Sequence, residues 1–348
     1  MANIFARSPY LIRIAETGQN GSKVELFISA TTFSGSPQYT LSKLIPASTN
    51  IETLYDISPY IREYIRFASC SAGGNAAVTN PTTERVNVRV KRYKLVGSTY
   101  SATPTDPQLD YIAFDGSTYY ESGYNYDLGN YGLDAGSYYY NPTSDAGKIR
   151  VTGGASFTAK YTNLSTATFT SLSISNGTFD IPRVRTTPNE LAVGNKVEIL
   201  NGASAVQATW YFYPLEECKY TPVIIDFVNK YGAWQREFFF KASTDNFSVE
   251  NTEYNLLQTN SYNYNTLEGQ RKVFNANGKK SIKVNTGWVA QTWSEVLKQI
   301  MLSERILIDN KPAKINTKST ELFKHINTKQ INYSLDFEFA YDVINSVI

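Results

Sequence analysis

The sequence predicts a mainly β protein built from antiparallel β-sandwich units. Its apolar residues are unusually aromatic, with 26 Tyr and 18 Phe against 2 Met, and aromatic residues favour strands over helices. Several segments also alternate apolar and polar residues with the period of a half-buried strand. Because the chain of 348 residues is about twice the length of a usual domain, we expect two or three packed units.

Composition divides the chain into three regions. Residues 1–105 are predicted to form an N-terminal β-rich domain. Residues 106–215 are low in charge and rich in Tyr, Gly, Ser and Thr, which indicates an insertion or arm with a small β unit. Residues 216–348 predict a C-terminal β-sandwich with one flanking helix.

The first region contains several strand signals. Strand-like segments at Tyr10–Ile14 and Val24–Ala30 flank the polar stretch Thr17–Ser22, so a hairpin is predicted. Arg85–Val90 alternates so that its three valines share one face. The apolar residues that follow fall out of phase, which predicts a bulge or strand end near Lys91–Arg92.

A short amphipathic helix is predicted near residues 58–65. Ser58 belongs to the residue types that cap the free amides at a helix start, and Pro59 suits the first helical position.

The second region carries tyrosines separated by glycines, which is typical of loops rather than of a core. We interpret it as a loop arm that forms a subunit interface, because tyrosine offers a large, rigid contact area with a hydroxyl. Packing on its own subunit and carbohydrate binding are the alternatives. The candidate interface residues are Tyr119, Tyr120, Tyr124, Tyr126, Tyr131, Tyr138, Tyr139 and Tyr140. Farther on, Ser156–Tyr161 and Thr166–Ser175 predict partly solvated strands.

The third region has the clearest hairpin signal. Val223–Val228 and Trp234–Phe240 read as strands on either side of the turn Asn229–Ala233. Asn277 and Gly278 predict a second tight turn.

A helix and a closing strand complete the third region. Thr292 and Glu295 fit a capping box before an apolar helical face, which predicts a helix over about 292–303. Ile331–Phe339 places apolar residues at every odd position and therefore predicts a two-faced antiparallel strand.

Residues that carry enzyme chemistry are scarce. His325 is the one histidine, and Cys70 and Cys218 lie far apart without a CxxC motif. Acidic residues among the tyrosines would suit glycoside cleavage, but acids between glycines usually shape a loop. We therefore predict no enzyme, no cofactor and no metal.

Charge gives little indication of a partner. The net charge of +2 is too small to drive general attraction to nucleic acid or acidic membranes. No apolar run reaches the length of about 18 residues of a spanning helix, and we see no secretory leader, so we expect no membrane contact. Weak candidates for facing DNA, with a solvated strand face as the favoured alternative, are Arg85, Arg89, Lys91 and Arg92.

Short motifs, mainly in the first and third regions, carry a resemblance to a known family. They are Ile57–Arg62, Tyr111–Gly116, Cys218–Pro222, Phe227–Gln235, Phe238–Lys241, Asn285–Gly287, Met301–Glu304 and Ile331–Tyr341. Together they resemble virion structural proteins, of the ring, tail-hub or baseplate type, in tailed phages that infect Bacteroidetes. The crAss-like phages are the best-known group.

The resemblance implies a virion subunit that forms a ring in the head-to-tail connector or tail (tail hub), around the DNA channel. Its expected partners are copies of itself in a ring-shaped homo-oligomer and neighbouring portal, ring or tail proteins, with packaged DNA nearby. The expected location is the virion, after synthesis in the bacterial host cytoplasm. The alternative function is a tail-tip or baseplate adhesin that binds host surface carbohydrate through Tyr111–Tyr140.

Overall fold

The structure is a computed structural model, which describes the chain apart from residues 1, 30–31, 34, 46–51, 69–77, 80–82, 118–137, 154, 186–189, 218, 257–266, 268, 322–329 and 345–348. It contains 57% strand and 7% helix, in several mostly antiparallel sheets with one 12-residue helix. The predicted mainly β class is confirmed. Contacts group the chain into two compact units, Met1–Leu215 with Val228–Arg236, and Glu216–Phe227 with Glu237–Ile348.

The elements are numbered in chain order. The strands up to residue 214 are β1 Ala2–Phe5, β2 Leu11–Ile14, β3 Gly21–Ser29, β4 Tyr39–Leu44, β5 Thr53–Asp56, β6 Val78–Thr79, β7 Arg85–Val96, β8 Thr99–Tyr100, β9 Thr105–Phe114, β10 Tyr138–Tyr140, β11 Lys148–Gly153, β12 Phe157–Asn163, β13 Phe169–Ile174, β14 Gly177–Pro182, β15 Asn195–Leu200 and β16 Val206–Pro214. The later strands are β17 Val223–Val228, β18 Trp234–Phe239, β19 Thr244–Asn255, β20 Arg271–Ala290, β21 Ile306–Ile308, β22 Lys311–Ile315, β23 Gln330–Phe339 and β24 Val343–Ile344. The helices are α1 Ser58–Arg62, α2 Glu190–Val193 and α3 Ser294–Leu302, the last preceded by the 3₁₀ turn Gln291–Trp293.

The described part of the first unit holds four sheets. The largest has the order β1-β9-β7-β3-β4, with β8 paired to β7. The others are β10-β16-β15-β12-β13, β11-β14-β6 and β2-β5. β9 begins at Thr105 and pairs with β7, so residues on both sides of position 105 share one sheet.

Strand β7 lies at the centre of the largest sheet and follows the predicted pattern. Val86, Val88 and Val90 are buried in the core. The pairing of β7 with β9 shifts register between Val90 and Arg92, which confirms the predicted bulge. The same bulge explains how Leu95 is buried although it is out of phase with the valines.

The predicted hairpin between Tyr10–Ile14 and Val24–Ala30 is wrong. β2 pairs with β5, while β3 pairs with β4 on one edge and β7 on the other. Both edges of β3 are therefore occupied by strands longer than β2. Strand β2 pairs with β5 instead. Tyr55 of β5 donates a hydrogen bond from its hydroxyl to the Ser22 carbonyl at 2.8 Å, which ties the small sheet to β3.

Helix α1 confirms the predicted short helix but not its cap. Its N-cap is Ile57, and no side chain caps it. The Ser58 hydroxyl instead donates to the buried Ser8 carbonyl at 2.7 Å. The Asp56 carboxylate accepts the Ser58 and Tyr10 amides, each at 3.1 Å, just before the helix begins.

A buried ion cluster joins distant segments of the first unit. Arg150 of β11 contacts Glu84 at 2.5 Å and Asp180 of β14 at 2.8 Å, and it donates to the Gly232 carbonyl at 3.3 Å. Glu84 also accepts the Ala68 amide at 3.1 Å. Burial lowers the pKa of Arg150, but the two carboxylates outweigh burial and hold the pKa above its ordinary value.

The second region contains a five-stranded sheet. β12 and β13 confirm the strands predicted at Ser156–Tyr161 and Thr166–Ser175. β12 alternates strictly, with Phe157, Ala159 and Tyr161 buried. One face of this sheet is therefore core and the other is open to solvent.

The largest sheet of the chain has the order β18-β17-β21-β22-β23-β20-β19, with β24 also paired to β20. The predicted hairpin of β17 and β18 is confirmed, because the two strands are neighbours and the Asn229 amide bonds to the Ala233 carbonyl at 2.9 Å. Strand β23 has buried residues at Ile331, Tyr333, Leu335 and Phe337, as its odd-position pattern predicts.

The predicted helix over about 292–303 is confirmed by the 3₁₀ turn and α3. Trp293, Val296, Leu297 and Ile300 are buried. The predicted capping box is wrong, since no side chain caps either segment. Glu295 instead pairs with Lys298 at 2.6 Å on the exposed side.

The predicted tight turn at Asn277 and Gly278 is also wrong, because β20 runs unbroken through both residues. The reason lies in the neighbouring strand β19. The Phe247 ring lies over Gly278, and its nearest atom is 2.2 Å from the position that a Cβ there would take. The glycine therefore makes room for an aromatic ring rather than for a turn.

Replacing Arg150 with Met should lower the free energy of unfolding of the first unit by about 3–5 kcal/mol, because two carboxylates lose their buried partner. Hydrogen exchange of the β11 and β14 amides measures this change. The matched control is Arg89→Met, which breaks a partly exposed pair with Asp110 and should cost about 0–1 kcal/mol. Equal losses in the two variants would contradict the structural role of the cluster.

Candidate functional site

The predicted interface tyrosines fall into three groups. Tyr119, Tyr120, Tyr124, Tyr126 and Tyr131 lie outside the described residues. Among the remaining three, Tyr138 and Tyr140 are buried and Tyr139 is 38% exposed.

Tyr138 and Tyr140 belong to the core of their own subunit, which corrects the loop interpretation for these two residues. They lie on β10, which pairs in parallel with β16. The Tyr140 hydroxyl donates to the Leu191 carbonyl at 2.6 Å, and Tyr138 stacks on Phe212 with ring centroids 5.6 Å apart. Both side chains are buried, so neither is exposed for contact with a partner.

Tyr139 points outward and joins two tyrosines that the sequence analysis did not single out. Its ring lies 5.8 Å from that of Tyr213, and Tyr213 lies 6.2 Å from Tyr211 with nearly parallel planes. Burial raises the pKa of Tyr213, with smaller contributions from Tyr211 and Tyr139. We call these three residues the tyrosine row.

The tyrosine row borders the solvent side of the five-stranded sheet, which we call the open face. Register and alternation assign its residues. They are Thr209, Lys196, Glu198, Leu200, Thr158, Lys160, Thr162, Phe169, Ser171 and Ser173. Two lysines of this face share one carboxylate: Glu198 lies 2.8 Å from Lys196 and 4.0 Å from Lys160. The hydrogen bond to Glu198 raises the pKa of Lys196.

The four candidate DNA-facing residues all lie on β7 and all have intramolecular contacts. Arg89 pairs with Asp110 at 2.8 Å, and Lys91 lies over the Phe27 ring at 4.6 Å. Arg92 donates to the Arg13 carbonyl at 3.5 Å. Burial, followed by the charge of Arg150, lowers the pKa of Arg85. Contact of this strand with DNA stays a prediction.

The second unit contains a highly exposed antiparallel ribbon, formed by β19 and the first half of β20. All 12 residues of β19 are exposed, and at ~3.3 Å per residue the strand is ~40 Å long. β19 ends its sheet, so no described strand pairs with its outer edge. We call this element the ribbon.

The ribbon exposes several large apolar side chains to solvent. Val249 lies opposite Gly278, which in turn lies opposite Val343 of β24, so these residues and the Phe247 ring share one face. Tyr254 and Phe274 contact each other near the far end, with ring centroids 6.4 Å apart. The exposed fractions are Phe247 61%, Phe274 62%, Val273 54%, Val249 52%, Val343 51% and Tyr254 44%.

The two strands of the ribbon carry opposite charge. β19 contains Asp245, Glu250 and Glu253 and no basic residue. β20 contains lysines and an arginine and no acidic residue. Glu250 pairs with Lys279 at 2.7 Å and Asp245 pairs with Lys280 at 3.9 Å across the strands. The charged side chains of the outer strand are nevertheless all acidic.

Neither a metal site nor a spanning helix is present in the part of the chain that the structure describes. No group of three or more His, Cys, Asp or Glu side chains there is placed to hold an ion. No helix there is long and apolar enough to cross a membrane. His325, Cys70 and Cys218 fall outside the described residues.

Comparisons with family models, with curated proteins and with solved structures gave no match. The ribbon, the open face and the sequence motifs are therefore the features of the chain that bear on its function.

Gly278→Val tests whether Phe247 needs the glycine. Valine favours strands over glycine, so strand propensity alone would strengthen β20. The added side chain must displace the Phe247 ring, and we expect faster amide exchange in β19. Ala276→Val, two residues away on the same face, is the control and should leave exchange unchanged or slower. Equal protection in both variants would contradict the contact.

Proposed function

We propose that this protein is a structural subunit of a tailed-phage virion, which forms a ring in the head-to-tail connector or tail around the DNA channel. It acts through contacts between subunits and not through catalysis. The observation that carries the proposal is the ribbon. An isolated two-stranded ribbon is marginally stable in water, and this one exposes Phe247, Val249 and Phe274 along its length.

The ribbon suits a neighbouring copy of the chain as its partner. A contiguous exposed apolar surface marks an interaction site in a soluble protein. The free edge of β19 also offers backbone amides and carbonyls that a neighbour's strand or loop can pair with. When the ribbon lies against the next subunit, its apolar side chains are covered and the free edge of β19 gains hydrogen-bond partners.

The charge pattern favours a heterologous contact, in which two different surfaces of neighbouring copies meet. Pairing two β19 strands about a twofold axis would bring two acidic edges together, which is unfavourable. An acidic edge against a different, basic surface of the next copy avoids this cost. Contacts between unlike surfaces repeat from copy to copy and form a ring when the rotation between copies closes. A ring is the arrangement that the resemblance of the sequence motifs implies.

The other partners in the proposal are the neighbouring portal, ring or tail proteins. On β7, Arg89 is paired with Asp110 and Arg85 is partly buried, which reduces the positive charge that this strand presents to DNA. The proposal therefore assigns DNA to the channel and not to a specific binding site. The place of action is the assembled virion.

The double variant Val249→Ser with Phe274→Ser should convert the oligomer to monomers. Burying two large apolar side chains contributes ~3 kcal/mol or more, so their loss should weaken association by at least about 100-fold. Analytical ultracentrifugation across a concentration series measures this shift.

The matched control is Val206→Ser with Phe169→Ser on the first unit. Val206 and Val249 are both 52% exposed, and Phe169 and Phe274 are both 62% exposed, so the two double variants remove equal apolar surface. The control should assemble like the unsubstituted protein. Dissociation of the control, with the ribbon variant still assembled, would overturn the assignment of the interface.

A further inference from the structure

A groove lies at the end of the open face away from the tyrosine row. It has a volume of about 530 Å³. Serine and threonine side chains supply most of its polar lining, and Phe157, Ile174 and Leu200 supply apolar surface beside them. Thr158 and Leu200 lie opposite each other in its floor, and Ser171 and Ser173 of β13 lie on one side. The groove volume is within the range of about 300–1,000 Å³ that is usual for small-molecule sites.

The wall of the groove opposite β13 is a stiff turn. Asn201 accepts the amides of Ala203 and Ala205 with its side-chain oxygen, at 3.0 and 2.9 Å. Ser204 of this turn also lines the groove. Because the turn is held by its own hydrogen bonds, this wall of the groove is ordered without a ligand, which reduces the ordering cost of binding.

The chemistry of the groove selects an uncharged ligand rich in hydroxyls. No charged residue lines it, so an ion would lose its hydration without gaining an opposite charge. Serine and threonine hydroxyls both donate and accept hydrogen bonds, and sugar hydroxyls do the same. A protein partner would instead favour an apolar centre with aromatic anchors.

The tyrosine row lies on the same open face at a distance that a chain of sugars can span. Lys196 of β15 pairs with Tyr211 across the strands, and Leu200 of β15 lines the groove. These two positions are four residues apart on β15, which corresponds to ~13 Å along the strand. Aromatic rings with a hydroxyl supply a stacking surface and a polar tip together.

We propose that the open face binds a neutral oligosaccharide, with one sugar unit in the groove beside Ser171 and Ser173 and further units along Tyr211, Tyr213 and Tyr139. This site goes beyond the assembly role and does not depend on it. Carbohydrate binding is one of the alternatives that the sequence leaves open for the tyrosine arm, and this site would place it on the sheet rather than on a loop.

The test is titration calorimetry of the full chain with cellohexaose, maltohexaose and mannohexaose as separate probes, and with glucose and hexagalacturonate for comparison. We expect one neutral hexasaccharide to bind. Glucose should bind at least about tenfold more weakly, since it cannot reach both the groove and the tyrosine row. Failure of all neutral hexasaccharides to bind at millimolar concentration, or preference for the acidic probe, would overturn the proposal.

Two variants locate the site. Ser173→Trp fills the groove, and Tyr213→Ala removes the centre of the tyrosine row; each should weaken binding at least about tenfold. Ser42→Trp is the matched control, because Ser42 is an exposed serine on β4, another edge strand of the same unit. Unchanged binding in both site variants would overturn the proposal.

The same variants separate this site from the interface. Val249→Ser with Phe274→Ser should bind the oligosaccharide normally, and Ser173→Trp should assemble normally. If Ser173→Trp dissociates the oligomer and no probe binds the unsubstituted chain, the open face is a protein contact and the saccharide proposal fails.

Discussion

The first unit depends on the buried contact between Arg150 and the carboxylates of Glu84 and Asp180. A charge removed from water is stable only when it is fully paired. Arg150, Glu84 and Asp180 come from different parts of the chain, and the Gly232 carbonyl completes the set. Any arrangement that separates these segments leaves a buried charge without its partner. The cluster therefore favours a single arrangement of the sheets that contain β7, β11 and β14.

The two surfaces follow from the sheets that present them. In the five-stranded sheet, one face packs inward through residues such as Tyr161 and Phe212, and alternation then sends Thr158, Ser171 and Tyr213 to the solvent. Strand β19 of the ribbon has no buried face, because all 12 of its residues are exposed. Its apolar side chains can be covered only by something outside the ribbon. One surface is thus concave and hydroxyl-lined, and the other is extended and apolar.

Local patterns in the sequence predicted local structure well. The valines of Arg85–Val90, the alternation of Ile331–Phe339 and the apolar face of the helix near 292–303 each depend on near neighbours in the chain. The errors concern partners far away in sequence. Nothing near Gly278 indicates that Phe247 covers it, and nothing near Leu11–Ile14 indicates that β5 is its partner.

The tyrosines show the same limit. Tyr138 and Tyr140 lie in a Tyr-rich and Gly-rich stretch, but pairing with β16 buries both. Tyr211 and Tyr213 follow Trp210 and Phe212, so four aromatic residues in a row conceal the alternation. The exposed pair becomes evident only when the sheet shows which face is core. Glu84, Arg150 and Asp180 likewise have no common signal in the sequence.

We propose that the ribbon joins neighbouring copies of this protein in a virion ring. The decisive measurement is a cryo-EM map of phage particles purified from cells that carry the gene for this protein. The account predicts a ring of this subunit around the DNA channel, with each ribbon lying on the next copy and Phe247, Val249 and Phe274 covered. Virions that lack the protein, or a ring in which every ribbon extends into solvent, would contradict it.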